Sequence, residues 1–219
     1  TNANTVGPVS INQGSIIVNG TLNGAGAMTV EQGATLGGNG TITKDMVLSG
    51  VLSPGNSIGT VNFIGNQTFA AGSILVNELN PITSDLVNIT GTLAIDSNAS
   101  LQIFPEAGTY ATPYTYTIIQ TSGGVGGTFS SVTNSMPFFD MTVVYTDFDV
   151  LLQLNGFIPF STLVTKGNAA KVAHCLDVLP SPAGSDLALI INTLRSLSTA
   201  AEIEKALFQM QPSLFTSLA

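Results

Sequence analysis

Positive charge is almost missing from the first 160 residues. Lys44 is the only basic side chain there, facing nine carboxylates, so that part carries net charge −8. Such a surface repels phosphate, which makes nucleic acid and anionic lipid poor partners. After Phe160 the balance is neutral: Lys166, Lys171, Arg195 and Lys205 offset Asp177, Asp186, Glu202 and Glu204. Charge of either sign is scarce, at 8% of residues against about 25% in ordinary soluble domains. Cysteine is scarcer still. Cys175 stands alone, so an intramolecular disulfide is excluded. Neither a signal peptide nor an apolar run long enough for a membrane-spanning helix is visible. Thr1 does not start a gene product, so the chain is expected to be a piece of a longer protein.

What is present is glycine, small polar residues and a 44% share of hydrophobic ones. Across 219 residues that is enough for a sizeable core and one or two structural units. The surface must then be polar but uncharged, a composition suited to a secreted repetitive β protein.

Small triplets recur, each a glycine, a small or β-branched residue and a large apolar one: Gly20-Thr21-Leu22, Gly40-Thr41-Ile42, Gly50-Val51-Leu52, Gly59-Thr60-Val61, Gly91-Thr92-Leu93 and Gly127-Thr128-Phe129. Glycine turns the corner, and the β-branched residue favours the extended chain that follows. Between corners the pattern alternates. Met28 and Val30 flank Thr29, Val61 and Phe63 flank Asn62, and Ile16, Val18 and Leu22 are expected on the same buried face. Many short strands of this kind pair most economically as a coil in which each rung contacts the next. The fold predicted is mainly β, a right-handed parallel β-helix, with four to six rungs of roughly 20–25 residues within 1–105. An ordinary β-sandwich with glycine-rich turns is the alternative.

Residues 106–160 differ. Aromatics gather there, among them Tyr110, Tyr116, Phe129, Phe138, Phe139 and Phe157. Met141–Tyr145 and Phe148–Leu154 read as a hairpin with Thr146 and Asp147 near the turn, and Phe148, Val150, Leu152 and Leu154 on one face. This section is expected to cap the end of the coil. From 161 to 219 the period becomes helical. Ala169, Val172, Ala173, Leu176 and Leu179 form one apolar face, and Leu187, Ile190, Ile191, Leu194 and Leu197 another. Thr199 and Glu202 fit a capping box. Pro212 suits the start of a last helix carrying Leu214, Phe215 and Leu218.

Residues capable of chemistry are few, and each has a plain structural reading beside the functional one. Asp147 and Asp149 could share a strand face as a carboxylate pair, but also mark a solvated turn. A lyase needs a base with Arg or a cation, and residues 1–160 hold no Arg and no His. The single histidine, His174, adjoins Cys175 on a helix; adjacent positions diverge, and a partly buried thiol is expected rather than a zinc site. Gly123–Gly127 lacks the Lys-Ser/Thr of a phosphate loop and reads as a flexible loop. Sequons such as Asn88-Ile89-Thr90 follow turn composition. Catalytic, cofactor and metal residues are all expected to be none, and the chain is expected not to be an enzyme.

The run Leu52-Ser53-Pro54-Gly55-Asn56-Ser57-Ile58-Gly59-Thr60-Val61 resembles a signature of bacterial autotransporter passengers. So does Leu36-Gly37-Gly38-Asn39-Gly40-Thr41-Ile42 before it. Ser84-Asp85-Leu86-Val87-Asn88-Ile89-Thr90-Gly91, Tyr116-Thr117-Ile118-Ile119, Gly127-Thr128-Phe129 and Ala206-Leu207-Phe208-Gln209-Met210-Gln211-Pro212 are similar to later elements of that family, in its order. The resemblance implies β-helix rungs over 1–105, an autochaperone cap over 106–160 and a linker over 161–219. It also implies that residues 53–160 help the passenger fold at the surface of a Gram-negative cell. The implied partners are the protein's own C-terminal outer-membrane β-barrel and the upstream passenger, with a host-surface ligand reached through more distal parts. An adhesin, a structural β-solenoid and a carbohydrate-active β-helix enzyme are the alternative readings.

Overall fold

The computed structural model describes residues 4–197 and 199–210. The chain winds as a coil with three faces. Strands β1 (Asn4–Thr5), β4 (Thr21–Asn23), β7 (Thr41–Ile42), β10 (Thr60–Ile64), β13 (Leu86–Thr90) and β16 (Tyr114–Thr121) stack in parallel on the first face. The second carries β2 (Val9–Ile11), β5 (Met28–Val30), β8 (Met46–Leu48), β11 (Gln67–Phe69), β14 (Thr92–Ile95) and β17 (Gly124–Gly126). The third carries β3 (Gly14–Ile17), β6 (Ala34–Gly38), β9 (Val51–Pro54), β12 (Ile74–Leu79), β15 (Ser100–Pro105) and β18 (Ser131–Asn134). Each strand pairs with the strands one coil before and after it, which makes the molecule a parallel β-helix.

The period-two pattern explains the core. Phe63 sits between Ile42 and Ile89 in register, Phe69 between Leu48 and Ile95, and Leu75 between Leu52 and Leu101, all buried. Outward residues form polar ladders. Thr43 donates to Asn23 at 2.9 Å across a separation of 20 residues. Asn88 donates to Asn62 at 3.0 Å across 26, and Ser131 to Ser100 at 3.1 Å across 31. The coil therefore widens toward its C-terminal end, and parallel pairing continues to Asn134.

A hairpin of β19 (Phe139–Tyr145) and β20 (Asp149–Phe157) closes the first face, with β20 antiparallel to β16. Among the described residues four helices follow: α1 (Phe160–Leu163), α2 (Gly167–Val178), α3 (Asp186–Arg195) and α4 (Ala200–Gln209). Their core of Ala169, Ala173, Leu176, Ile191, Leu194, Ile203 and Leu207 also takes in Phe138, and Phe157 packs against both this cluster and the coil core. The helices thus dock on the hairpin. At α4, Thr199 Oγ1 accepts from the Glu202 amide and the Glu202 side chain accepts from the Thr199 amide, the capping box expected. The last helix expected from Pro212 onward lies outside the described residues.

Several expectations need correction. Ile16 is 39% exposed although its register partner Leu36 is buried, because among the described residues β3 is the outer strand of its face. Phe148 is 51% exposed: it sits in the hairpin turn, where alternation breaks, and only Val150, Leu152 and Leu154 face inward. Leu179 and Ile190 lie at the margins of their helical faces and are exposed. Gly124–Gly126 is a strand paired with Thr92–Ala94 and not a flexible loop. A backbone ladder needs no side chains, so five residues of which four are glycine can still complete a face.

Candidate functional site

The wide, capped end of the coil brings together most of the singled-out motifs. The corner after β9 turns at Gly55, at φ 80°, and Gly55 exchanges main-chain bonds with Gly38 of the preceding coil, at 2.9 and 3.1 Å. A Cβ on Gly55 would run into the Ser57 carbonyl oxygen, so this corner requires glycine. The chain then reaches Gly59, whose amide donates to Asp85 Oδ1 at 2.8 Å. The other carboxylate oxygen accepts from the Glu78 amide, also at 2.8 Å. Asp85 main chain completes the clasp: its amide donates to Glu78 O at 2.8 Å, and its carbonyl accepts from the buried Asn77 carboxamide at 2.9 Å. One buried carboxylate thus joins the Leu52–Val61 and Ser84–Gly91 motifs across neighbouring coils.

Burial pushes the Asp85 carboxyl up to about 7. The two amide donors pull against that shift, and the negative charges of Glu78 and Glu106 add to it.

Three tyrosines fasten the loop between β12 and β13. Tyr110 donates to the carbonyls of Glu106 at 2.7 Å and Leu79 at 3.2 Å, Tyr114 to Ile82 at 2.7 Å, and Tyr116 to Asn80 at 2.9 Å. Burial raises the Tyr110 phenol well above its ordinary value and lifts Tyr116 to about 12, so both stay donors. Tyr110 meets Phe139 edge-on at 4.7 Å, and Phe139 meets Phe157 at 5.5 Å. Phe129 lies 6.3 Å from Phe69, and its amide donates to the Tyr145 hydroxyl at 3.0 Å. The hairpin turn covers the last edge of the second face: the Val125 amide donates to Asp147 O and the Thr121 amide to Phe148 O.

The helices are fixed to this cap by charge as well as packing. The Arg195 guanidinium lies 3.9 Å from the Phe157 ring centroid. Burial lowers the Arg195 pKa, and the negative charge of Asp177 opposes that. Asp177 itself accepts from the Phe160 and Ser161 amides at 2.8 and 2.9 Å.

The residues weighed for chemistry are scattered. Asp147 is in the hairpin turn and Asp149 opens β20. His174 and Cys175 are both exposed on α2; the thiol expected to be partly buried points away from the helical core. Asn88 of the sequon is half-buried and bonded to Asn62. Among the described residues, no three of His, Cys, Asp and Glu gather as metal ligands, and no helix is long and apolar enough to cross a membrane. The clasp and the tyrosine bonds were missed in the sequence; a lone Asp amid Val, Ile and Leu was the available sign.

No family model matches the chain. It is similar to an extracellular serine protease of Serratia marcescens, with 27% identity over 184 residues, or 79% of this chain. The chain spans 17% of the length of that curated relative. This overturns the expectation that the chain is not an enzyme, because its relatedness runs to a protease. The expectation rested on which side chains one segment lacks, and a segment covering so little of a long relative does not carry that conclusion.

Proposed function

We propose that this chain is the membrane-proximal stem of a longer secreted or surface-held passenger related to extracellular serine proteases, and that its capped C-terminal end nucleates the folding of the coils before it. The observation that carries this reading is the cap on the coil: β20 pairs antiparallel with β16, the hairpin turn bonds to β17, and Phe139, Phe157 and the helices pack behind it. A closed end is stable before further coils form, and its open edge templates the next strand, so loop closure is met one rung at a time. Residues 53–160 would act as the folding nucleus and 161–219 would lead toward an outer-membrane β-barrel. The resemblance of the Leu52–Val61 and Ser84–Gly91 motifs to autotransporter passengers and the similarity to an extracellular protease both favour this placement.

The test is a secretion assay. The chain is placed between a reporter passenger and an outer-membrane barrel in a Gram-negative host, and protease-resistant reporter is measured on intact cells. Phe129→Ala, which weakens the cap, is expected to lower resistant display while total synthesis is unchanged. Equal display from the variant would reject the nucleating role.

A further inference from the structure

Lys44 is the one basic residue of the acidic coil, and it lies inside: its side chain is 3% exposed. It sits at the corner between the first and second faces of the third coil, just before β8. Its Nζ donates to five main-chain carbonyls, Gly7 at 2.9 Å, Gly24 at 3.1 Å, Val6 and Ala25 at 3.2 Å and Gly26 at 3.3 Å. Two of these oxygens come from the first coil's corner and three from the second's. The corners stack closely enough that a Cβ on Gly24 would run into Val6 O, and one on Gly26 would lie 2.7 Å from Pro8 Cγ. One coil on, the same column is held differently: Gln67 Nε2 donates to Lys44 O at 3.1 Å and Gly65 O at 2.9 Å.

We propose that the stacked corners of the first two coils form a carbonyl-lined cation site for a primary ammonium, filled in this chain by Lys44, and that the filled site fastens those coils to the third. Five carbonyl dipoles directed at one point repel one another and are screened from water, so the site is stable only around a positive charge. An ammonium suits it, with three hydrogens to share among the oxygens and no acceptor of its own. The dependence is directional. Coils one and two bring the oxygens, but the third brings the charge, so the first two are complete only when the third is in place.

Two measurements on the 219-residue chain test this. In native acylation mapped by mass spectrometry, Lys166, Lys171 and Lys205, all exposed, should react while Lys44 does not. Lys44 reacting as fast as those three would overturn the proposal. In Lys44→Ala, amide exchange over residues 6–30 should quicken about tenfold or more while residues 60–105 change less than about twofold, a local opening. Ethylammonium chloride should restore protection, and tetraethylammonium chloride at equal ionic strength should not. Unchanged exchange, unfolding of the whole chain, or equal rescue by both salts would each overturn it.

Discussion

The first and last described coils use the same three-faced winding but are covered differently on the first face. At the N-terminal end β3 is exposed along its length, Ile17 is 62% exposed and the core is of Met28, Val30, Ala34 and Leu36. At the C-terminal end the coil is wider, the core gains Phe69, Phe129 and Phe139, and β20 occupies the edge of β16. Pairing can be added where a parallel edge is left without aromatics behind it. An open parallel edge is a template, and a strand turned antiparallel with aromatics behind it ends the series. Even the polar fastenings differ: the narrow end is held by an ammonium among carbonyls, the wide end by a carboxylate among amides.

The sharpest test of this contrast is deletion of buried volume at the wide end. Phe69 is fully buried and touches Phe129. Phe69→Ala should cost about 4 kcal/mol, read as a lowered urea midpoint with unchanged slope. A loss below about 1 kcal/mol would mean that the cap is loosely packed and the two ends are not so different.

Next comes the clasp. The folded Asp85 carboxyl lies near 7, above its ordinary 3.8. A raised carboxyl binds its proton more tightly folded than unfolded, so its stabilisation is complete below about pH 4 and is lost as pH rises through 7. Stability should fall by roughly 2–4 kcal/mol across that window. Urea midpoints measured from pH 4 to pH 8 should show the slope in the native chain. In Asp85→Asn it should be flattened, although that variant is less stable throughout because one amide loses its acceptor. A slope equal in both proteins would assign the pH dependence elsewhere.

A smaller effect is expected where the helices join the cap. Arg195→Met removes the guanidinium from the Phe157 ring and should cost about 1 kcal/mol. Limited proteolysis should show faster cleavage between α2 and α4 and unchanged fragments from the coil. Cleavage rates rising equally in both regions would show that the helices and the coil open together.

The coil was legible where side chains alternate without interruption. Val61 and Phe63 around Asn62, and Met28 and Val30 around Thr29, point inward as alternation requires. The Thr199–Glu202 box was legible because its geometry is local. Rung length was less so: glycine triplets mark corners, but the separation that matters, from 20 to 31 residues, is set by loop length between partners. Phe138 was placed with the cap, yet it serves the helical core, since aromatic content does not say which side of a strand end a ring takes. Lys44 and Asp85 were hidden for a common reason. Composition assigns charge to the surface, and only the stacking of distant corners supplies the carbonyls and amides that make burial tolerable.

The smallest predicted effect bears on the open end. Ile17 points outward on β3, beside Gly37 and Ser53 in a shallow groove of about 400 Å³ that Thr35, Pro54 and Asn56 also line. It contributes little to the core, so Ile17→Ser should change stability by less than about 0.5 kcal/mol. An apolar side chain on the outer strand of the described face should nevertheless favour contact between copies of this chain. The same substitution should therefore lower the weight-average mass seen by sedimentation at high protein concentration. If the substitution costs more than about 1 kcal/mol instead, Ile17 is part of the folded coil's own packing, and the narrow end is better closed than its edges indicate.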